Sequence, residues 1–124
     1  MTEKEAIMGG APFSAGMKAG NSIYVSGQVP IEDGKTPVDV GEQTRICLDK
    51  IKGILEKGNA KLTDIVKITV FLTDIADFGV FNEAYKKYFI DHGIETNFPA
   101  RAAMAISALV KPEWKVEIDC FAII

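Results

Sequence analysis

The spacing of apolar residues changes repeatedly along the chain, and each change marks an element. In NSIYVSGQVP (21–30), Ile23 and Val25 alternate with Tyr24 and Ser26, as a strand requires. The Ala19-Gly20-Asn21 turn before it makes AGMK (15–18) the other arm of a hairpin. Pro30 has no N–H for a ladder and ends the pairing, so EDGKTP (32–37) reads as loop. From Val40 to Lys57 the period lengthens. Cys47, Ile51, Ile54 and Leu55 form one helical face, and Leu48 widens it. Gly53 weakens this helix and is expected to let it pack closely on a sheet, and Gly58 stops it. DIVKITVFL (64–72) is a β-branched strand, with Ile65, Lys67, Thr69 and Phe71 on one side and Val66, Ile68, Val70 and Leu72 on the other. A second helix spans Phe78 to Asp91, with Asp74 and Asp77 as candidate N-caps and Gly93 as its stop. Its aromatic stripe, Phe78, Phe81, Tyr85, Tyr88 and Phe89, reads as core. ARAAMAISAL (100–109) and KVEIDCFAII (115–124) are two more strands, expected to pair as an antiparallel hairpin across VKPEW (110–114). Both helices need an apolar sheet face, so the fold class is α+β, with the helices on one side of a mixed sheet.

Length and composition narrow this picture. The 124 residues suit one domain, 1–124, with 48% hydrophobic and 25% charged residues and a core that needs no staples. No apolar run reaches membrane-spanning length, and MTEKEAIMGG (1–10) is unlike a signal peptide, so a cytoplasmic protein is expected. Cys47 and Cys120 are far apart, each in an apolar pattern, and read as buried free thiols. The net charge of −3 without a basic cluster argues against a nucleic-acid partner.

One residue breaks the apolar pattern. Arg101 is an always-charged guanidinium inside a strand of small residues, and its alanine neighbours leave room beside it. Period two puts Arg101, Ala103, Ala105 and Ser107 on one face, and Glu117, Asp119 and Phe121 on one face of the last strand. With the apolar faces turned to the helices, Arg101, Glu117 and Asp119 are expected to emerge together on the other side. A guanidinium fork there could hold a ligand carboxylate, and Glu117 could orient a water or shuttle a proton. The same pattern fits a structural Arg101–Glu117 ion pair. The serine and glycine of VSGQ, Ser26 and Gly27, put a hydroxyl and a close backbone approach at a strand end. His92, the one histidine, reads as an exposed helix end, and Trp114 as a rim or interface aromatic. No metal-ligand spacing, phosphate-binding glycine motif or serine–histidine–aspartate constellation stands out.

In order and spacing, YVSGQVP, DIVKITVFLTDIADFGVFNEAY, NFPARAAM and KVEIDCFA resemble the Rid family of reactive intermediate deaminases, also called the YjgF family, and its RidA type in particular. The resemblance covers nearly the whole chain. It implies a chorismate-mutase-like fold, a six-stranded mixed sheet with two helices on one face, in a homotrimer with a central β-barrel and clefts between subunits. It implies hydrolysis of enamines and imines such as 2-aminoacrylate, 2-iminopropanoate and 2-iminobutanoate to 2-oxo acids and ammonia, without metal or cofactor. By resemblance Arg101 holds the substrate carboxylate, Glu117 positions the attacking water, and Ser26, Gly27 and Asn82 line the pocket. Two positions depart from the common pattern. Ala103 stands where many members carry cysteine, and Phe13 where many carry tyrosine; both are pocket positions. The rival expectations are a trimer that binds carboxylate ligands or a partner without turnover, and, more weakly, a ribonuclease or translation inhibitor.

Overall fold

Val40–Lys57 forms the first helix, α1, and its ends follow from its sequence. The Asp39 carboxylate accepts from the Glu42 N–H at 2.9 Å, a side-chain N-cap. At the other end the Gly58 N–H donates to the Ile54 and Leu55 carbonyls. The second helix, α2, spans Phe78–Asp91 after a single 3-10 turn over Ile75–Asp77. Asp74 caps that turn through the Ala76 N–H at 2.9 Å, whereas Asp77 stands before α2 without a side-chain bond. The computed structural model describes residues 3–124.

Six strands make one sheet: β1 (Lys4–Ile7), β2 (Gly16–Ala19), β3 (Ser22–Gln28), β4 (Ile65–Leu72), β5 (Ala100–Ala105) and β6 (Val116–Ile123), in the order β1-β2-β3-β6-β4-β5. The α+β class, the two helices, their boundaries and the β2–β3 hairpin match the sequence pattern. Both helices lie against one face. Ile23, Val25, Ile68, Val70, Leu72, Val116, Ile118, Cys120 and Ala122 meet Leu48, Ile51, Leu55, Phe81 and Phe89 there. Each buried aliphatic side chain contributes roughly 1.5–3 kcal/mol to holding the layers together. Cys47 and Cys120 are free and buried, as expected. Among the described residues no helix is long and apolar enough to cross a membrane.

Five expectations are corrected. β5 and β6 are not a hairpin. β6, buried at Val116, Ile118, Cys120 and Ala122, sits centrally between β3 and β4, antiparallel to both. β5 runs parallel to β4 on the edge, with α2 as the crossover. The alanine-rich β5 has little to bury and takes the edge. β4 also breaks its alternation: the register slips between Ile65 and Lys67, so Ile65 is buried while Val66 is exposed. No neighbour lies within 4 Å of where a Gly53 Cβ would sit, so this glycine serves no close packing. Trp114 is no rim residue; it is buried, its indole N–H donates to the Thr36 hydroxyl at 3.2 Å, and it braces the loop before β6. The expectation for His92 holds: it is exposed at the end of α2 and its backbone N–H donates to the Tyr88 and Phe89 carbonyls. The last correction concerns Arg101 and bears directly on the site.

Candidate active site

Arg101 projects to the helix side of the sheet. Its register partner in the parallel β4–β5 pair is Ile68, a fully buried core residue, and parallel partners share a face. Glu117 and Asp119 pair with Phe71 and Thr69, on the opposite face. Arg101 and Glu117 therefore do not emerge together, and neither the shared site nor the ion pair expected within one chain is formed. β4 lies between their strands, which puts the backbones roughly 10 Å apart as well as the side chains on opposite faces.

The residues expected to form one site fall into two groups. In the first, Arg101 donates to the Asn82 Oδ1 at 2.8 Å. Its guanidinium lies over the rings of Tyr85, Phe78 and Phe81, with Cζ 4.8, 5.6 and 5.8 Å from their centres. These rings hold the guanidinium plane by cation–π attraction and leave N–H donors unused. Asn82, Tyr85, Lys86, Phe98, Pro99 and Arg101 line a cavity of about 400 Å³. Ala103, two residues along β5, shares the face of Arg101 and is exposed.

The second group gathers around the bulge in β3. The register shifts between Val25 and Gln28, and Gly27 sits in the gap. A Cβ on Gly27 would lie 2.8 Å from the Glu117 Cδ, so only glycine lets that side chain lie across the strand. The Ser26 hydroxyl donates to the Ser14 carbonyl at 2.6 Å and ties down the loop that carries Phe13, whose ring is 64% exposed. Gln28 folds back and donates to the Ser26 carbonyl at 2.9 Å, stiffening the bulge. Burial, followed by the neighbouring Asp119 charge, raises the Glu117 carboxyl above its ordinary pKa. A half-buried carboxyl of this kind is suited to taking up and returning a proton.

The aromatic stripe of α2 is the functional feature the sequence reading missed. It does pack in the core, but three of its rings also carry Arg101. The signal was an aromatic run at i, i+3 and i+7 on the helix that leads into the Arg101 strand. It becomes specific only once β5 is known to run parallel to β4 beneath α2. The cysteines offer no nucleophile: burial pushes both Cys47 and Cys120 up to about 12, so they remain thiols at neutral pH. Among the described residues no cluster of histidine, cysteine and carboxylate side chains could hold a metal ion.

A family model described as Endoribonuclease L-PSP matches residues 3–124. The chain belongs to this family, the Rid or YjgF family. It is 40% identical to the 2-iminobutanoate/2-iminopropanoate deaminase of Escherichia coli K12 over 114 residues, 90% of this chain and 87% of that one. Its fold is similar to the crystal structure of the YjgF gene product of E. coli, with a TM-score of 0.86 and 38% identity, covering 95% of this chain and 92% of that one. It is also similar to E. coli TdcF crystallised with bound serine, with a TM-score of 0.85 and 34% identity over 95% and 92% of the two chains. The six-stranded mixed sheet with two helices on one face is thus the Rid fold, and the Rid family contains named deaminases of reactive imines.

Proposed function

We propose that this Rid protein hydrolyses small 2-imino acids to 2-oxo acids and ammonia, at sites where Arg101 of one copy meets Glu117 of another. The observation that carries the reading is the Arg101 cavity. A guanidinium held by Asn82 and an aromatic floor, with no acidic partner within 4 Å among the described residues, is a receptor for a carboxylate. The separation of Arg101 from Glu117 within one chain supports the subunit contact. So does the helix-free sheet face, which leaves Tyr24 54% and Met104 38% exposed beside Phe121 and Phe71 and needs a cover. A closed homotrimer supplies that cover and makes every site equivalent.

The chemistry then follows from the groups present. Arg101 grips the substrate carboxylate and fixes the imine carbon in place. The Glu117 carboxylate takes a proton from water as the oxygen adds to that carbon and the C=N bond becomes a C–N single bond. Glu117 returns that proton to nitrogen, then takes the proton of the new hydroxyl and passes it to the same nitrogen; the C=O bond forms as the C–N bond breaks, and ammonia leaves the 2-oxo acid. Ser26 and Gly27 keep Glu117 against the bulge. An RNA-cleaving role finds no comparable support, since the chain carries a net charge of −3 and its one histidine is stacked on Tyr88 at the end of α2.

The test is decay of 2-iminopropanoate, released in situ by an amino-acid oxidase acting on alanine. Added protein should speed decay several-fold at micromolar concentration. An unchanged decay rate from a folded trimer that still binds lactate would replace the deaminase with a carboxylate-binding protein.

Gly27→Ala gives a second check. The added methyl meets the flexible end of Glu117, so the carboxylate swings aside while the fold stays intact. The expected result is a kcat about tenfold lower with a melting temperature within about 2 °C of the wild type, because the displaced group is not a core anchor. An unchanged kcat would show that Glu117 does not need the place Gly27 opens for it.

A further inference from the structure

The side chains lining the Arg101 cavity within one chain offer hydrogen-bond donors and no charged acceptor. The Asn82 Oδ1 is taken by Arg101, which leaves its amide N–H groups. The Tyr85 hydroxyl is buried without a hydrogen-bond partner, and burial pushes its pKa up to about 12, so it keeps its proton. Lys86 adds a second full positive charge to the same wall, and no carboxylate of the same chain lines the cavity.

Lys86 is placed for this by helix geometry. It lies one turn after Asn82, on the face that holds Arg101. Several basic residues of the two helices have acidic partners: Arg45 pairs with Glu32, Glu42 and Asp49, Lys52 with Glu56, and Lys87 with Asp91, while Lys50 donates to the Val29 and Ile31 carbonyls and Lys57 lies at the end of α1, away from this cavity. Lys86 has none among the described residues. The residues four before and four after it are Asn82 and Ile90, and Glu83, three before it, forms no ion pair with it. A monocarboxylate bound to Arg101 would leave this charge uncompensated. A ligand with a second carboxylate would neutralise both.

We propose that Lys86 is a specificity residue and that the site prefers imino acids bearing a second carboxylate, such as 2-iminosuccinate. This rests on the deaminase reading for turnover, but not for binding. The reaction is the same hydrolysis, with one water consumed and one ammonia released; only the substrate side chain is specified.

The experiment has a binding arm and a turnover arm. Calorimetry compares malate with lactate, two stable 2-hydroxy acids that differ by the distal carboxylate. Wild-type protein should bind malate about fivefold more tightly, as one added partly exposed ion pair allows. Lys86→Ala should remove that preference and leave lactate unchanged, and Lys86→Glu should reverse it. The imines of aspartate and alanine, made by their oxidases, should show the same ratio in kcat/KM, carried by KM. Equal affinity for malate and lactate, or a preference that survives Lys86→Ala, overturns the proposal even if both imines are hydrolysed. Selective malate binding that depends on Lys86, with neither imine hydrolysed, upholds the selectivity and overturns the deaminase reading instead.

Discussion

Arg101→Ala should lower kcat/KM for 2-iminopropanoate by about 10²–10³-fold. The magnitude follows from what the side chain offers: a fork of charged donors in a half-enclosed cavity, worth roughly 3–5 kcal/mol when lost from a charged partner. Stability changes far less. The variant loses the 2.8 Å bond to Asn82 and the contacts with the Tyr85, Phe78 and Phe81 rings, together about 1–2 kcal/mol. Arg101→Lys keeps the charge but not the planar fork, and recovers only a small part of the activity. Steady-state kinetics beside thermal unfolding separate the two effects. A variant with more than about a tenth of wild-type kcat/KM would remove Arg101 from the substrate contact.

Glu117→Gln acts on the other half of the reaction. It keeps the shape over Gly27 and removes the proton acceptor, so kcat falls by about 10²–10⁴-fold while KM stays close to the wild-type value. The pH dependence has a definite sign. In the proposed reaction Glu117 works as the carboxylate, and burial and Asp119 hold its pKa above the ordinary 4.5. Activity is therefore lost as pH falls through that raised value, at a higher pH than an exposed glutamate would give. Asp119→Asn removes the smaller cause and shifts the acid limb down, and burial still keeps it above 4.5. The stability linkage runs the opposite way. A carboxyl with a raised folded pKa costs nothing below its unfolded pKa, begins to cost stability as pH rises through that value, and costs it in full above the raised folded pKa. Glu117→Gln should thus keep or slightly raise the melting temperature at neutral pH while turnover collapses. A kcat within tenfold of wild type, or an acid limb that survives the substitution, would assign the proton transfer elsewhere.

The helices and most strands were legible because their patterns are strong. α1 carries an unbroken apolar face from Cys47 to Leu55 and ends at a glycine, and β6 alternates cleanly from Val116 to Ala122. β1 went unread: four residues, three of them exposed, give almost no period. The pairing of β5 and β6 was not legible because adjacency in sequence suggested a hairpin, whereas burial decided the sheet order. The face of Arg101 failed for a related reason. Period two says which residues alternate, but choosing the face needs a polar contrast, and Ala100, Ala102, Ala103 and Ala105 supply none. The bulges at Gly27 and between Ile65 and Lys67 each reset the alternation by one residue, an event that hydrophobicity does not announce. The sequence singled out Arg101, Glu117, Ser26, Gly27 and Asn82; their division into two groups on opposite sides of the sheet needed the structure.

That division defines the most direct measurement. Arg101→Ala and Glu117→Gln proteins are each nearly inactive alone. Unfolded together in equal amounts and refolded, they should form mixed trimers if the proposed homotrimer holds. If each site draws Arg101 from one copy and Glu117 from its neighbour, some sites regain both groups, and random mixing restores about a quarter of wild-type activity. If both groups served the same site from one chain, every site would lack one of them, and the mixture would stay as inactive as its components.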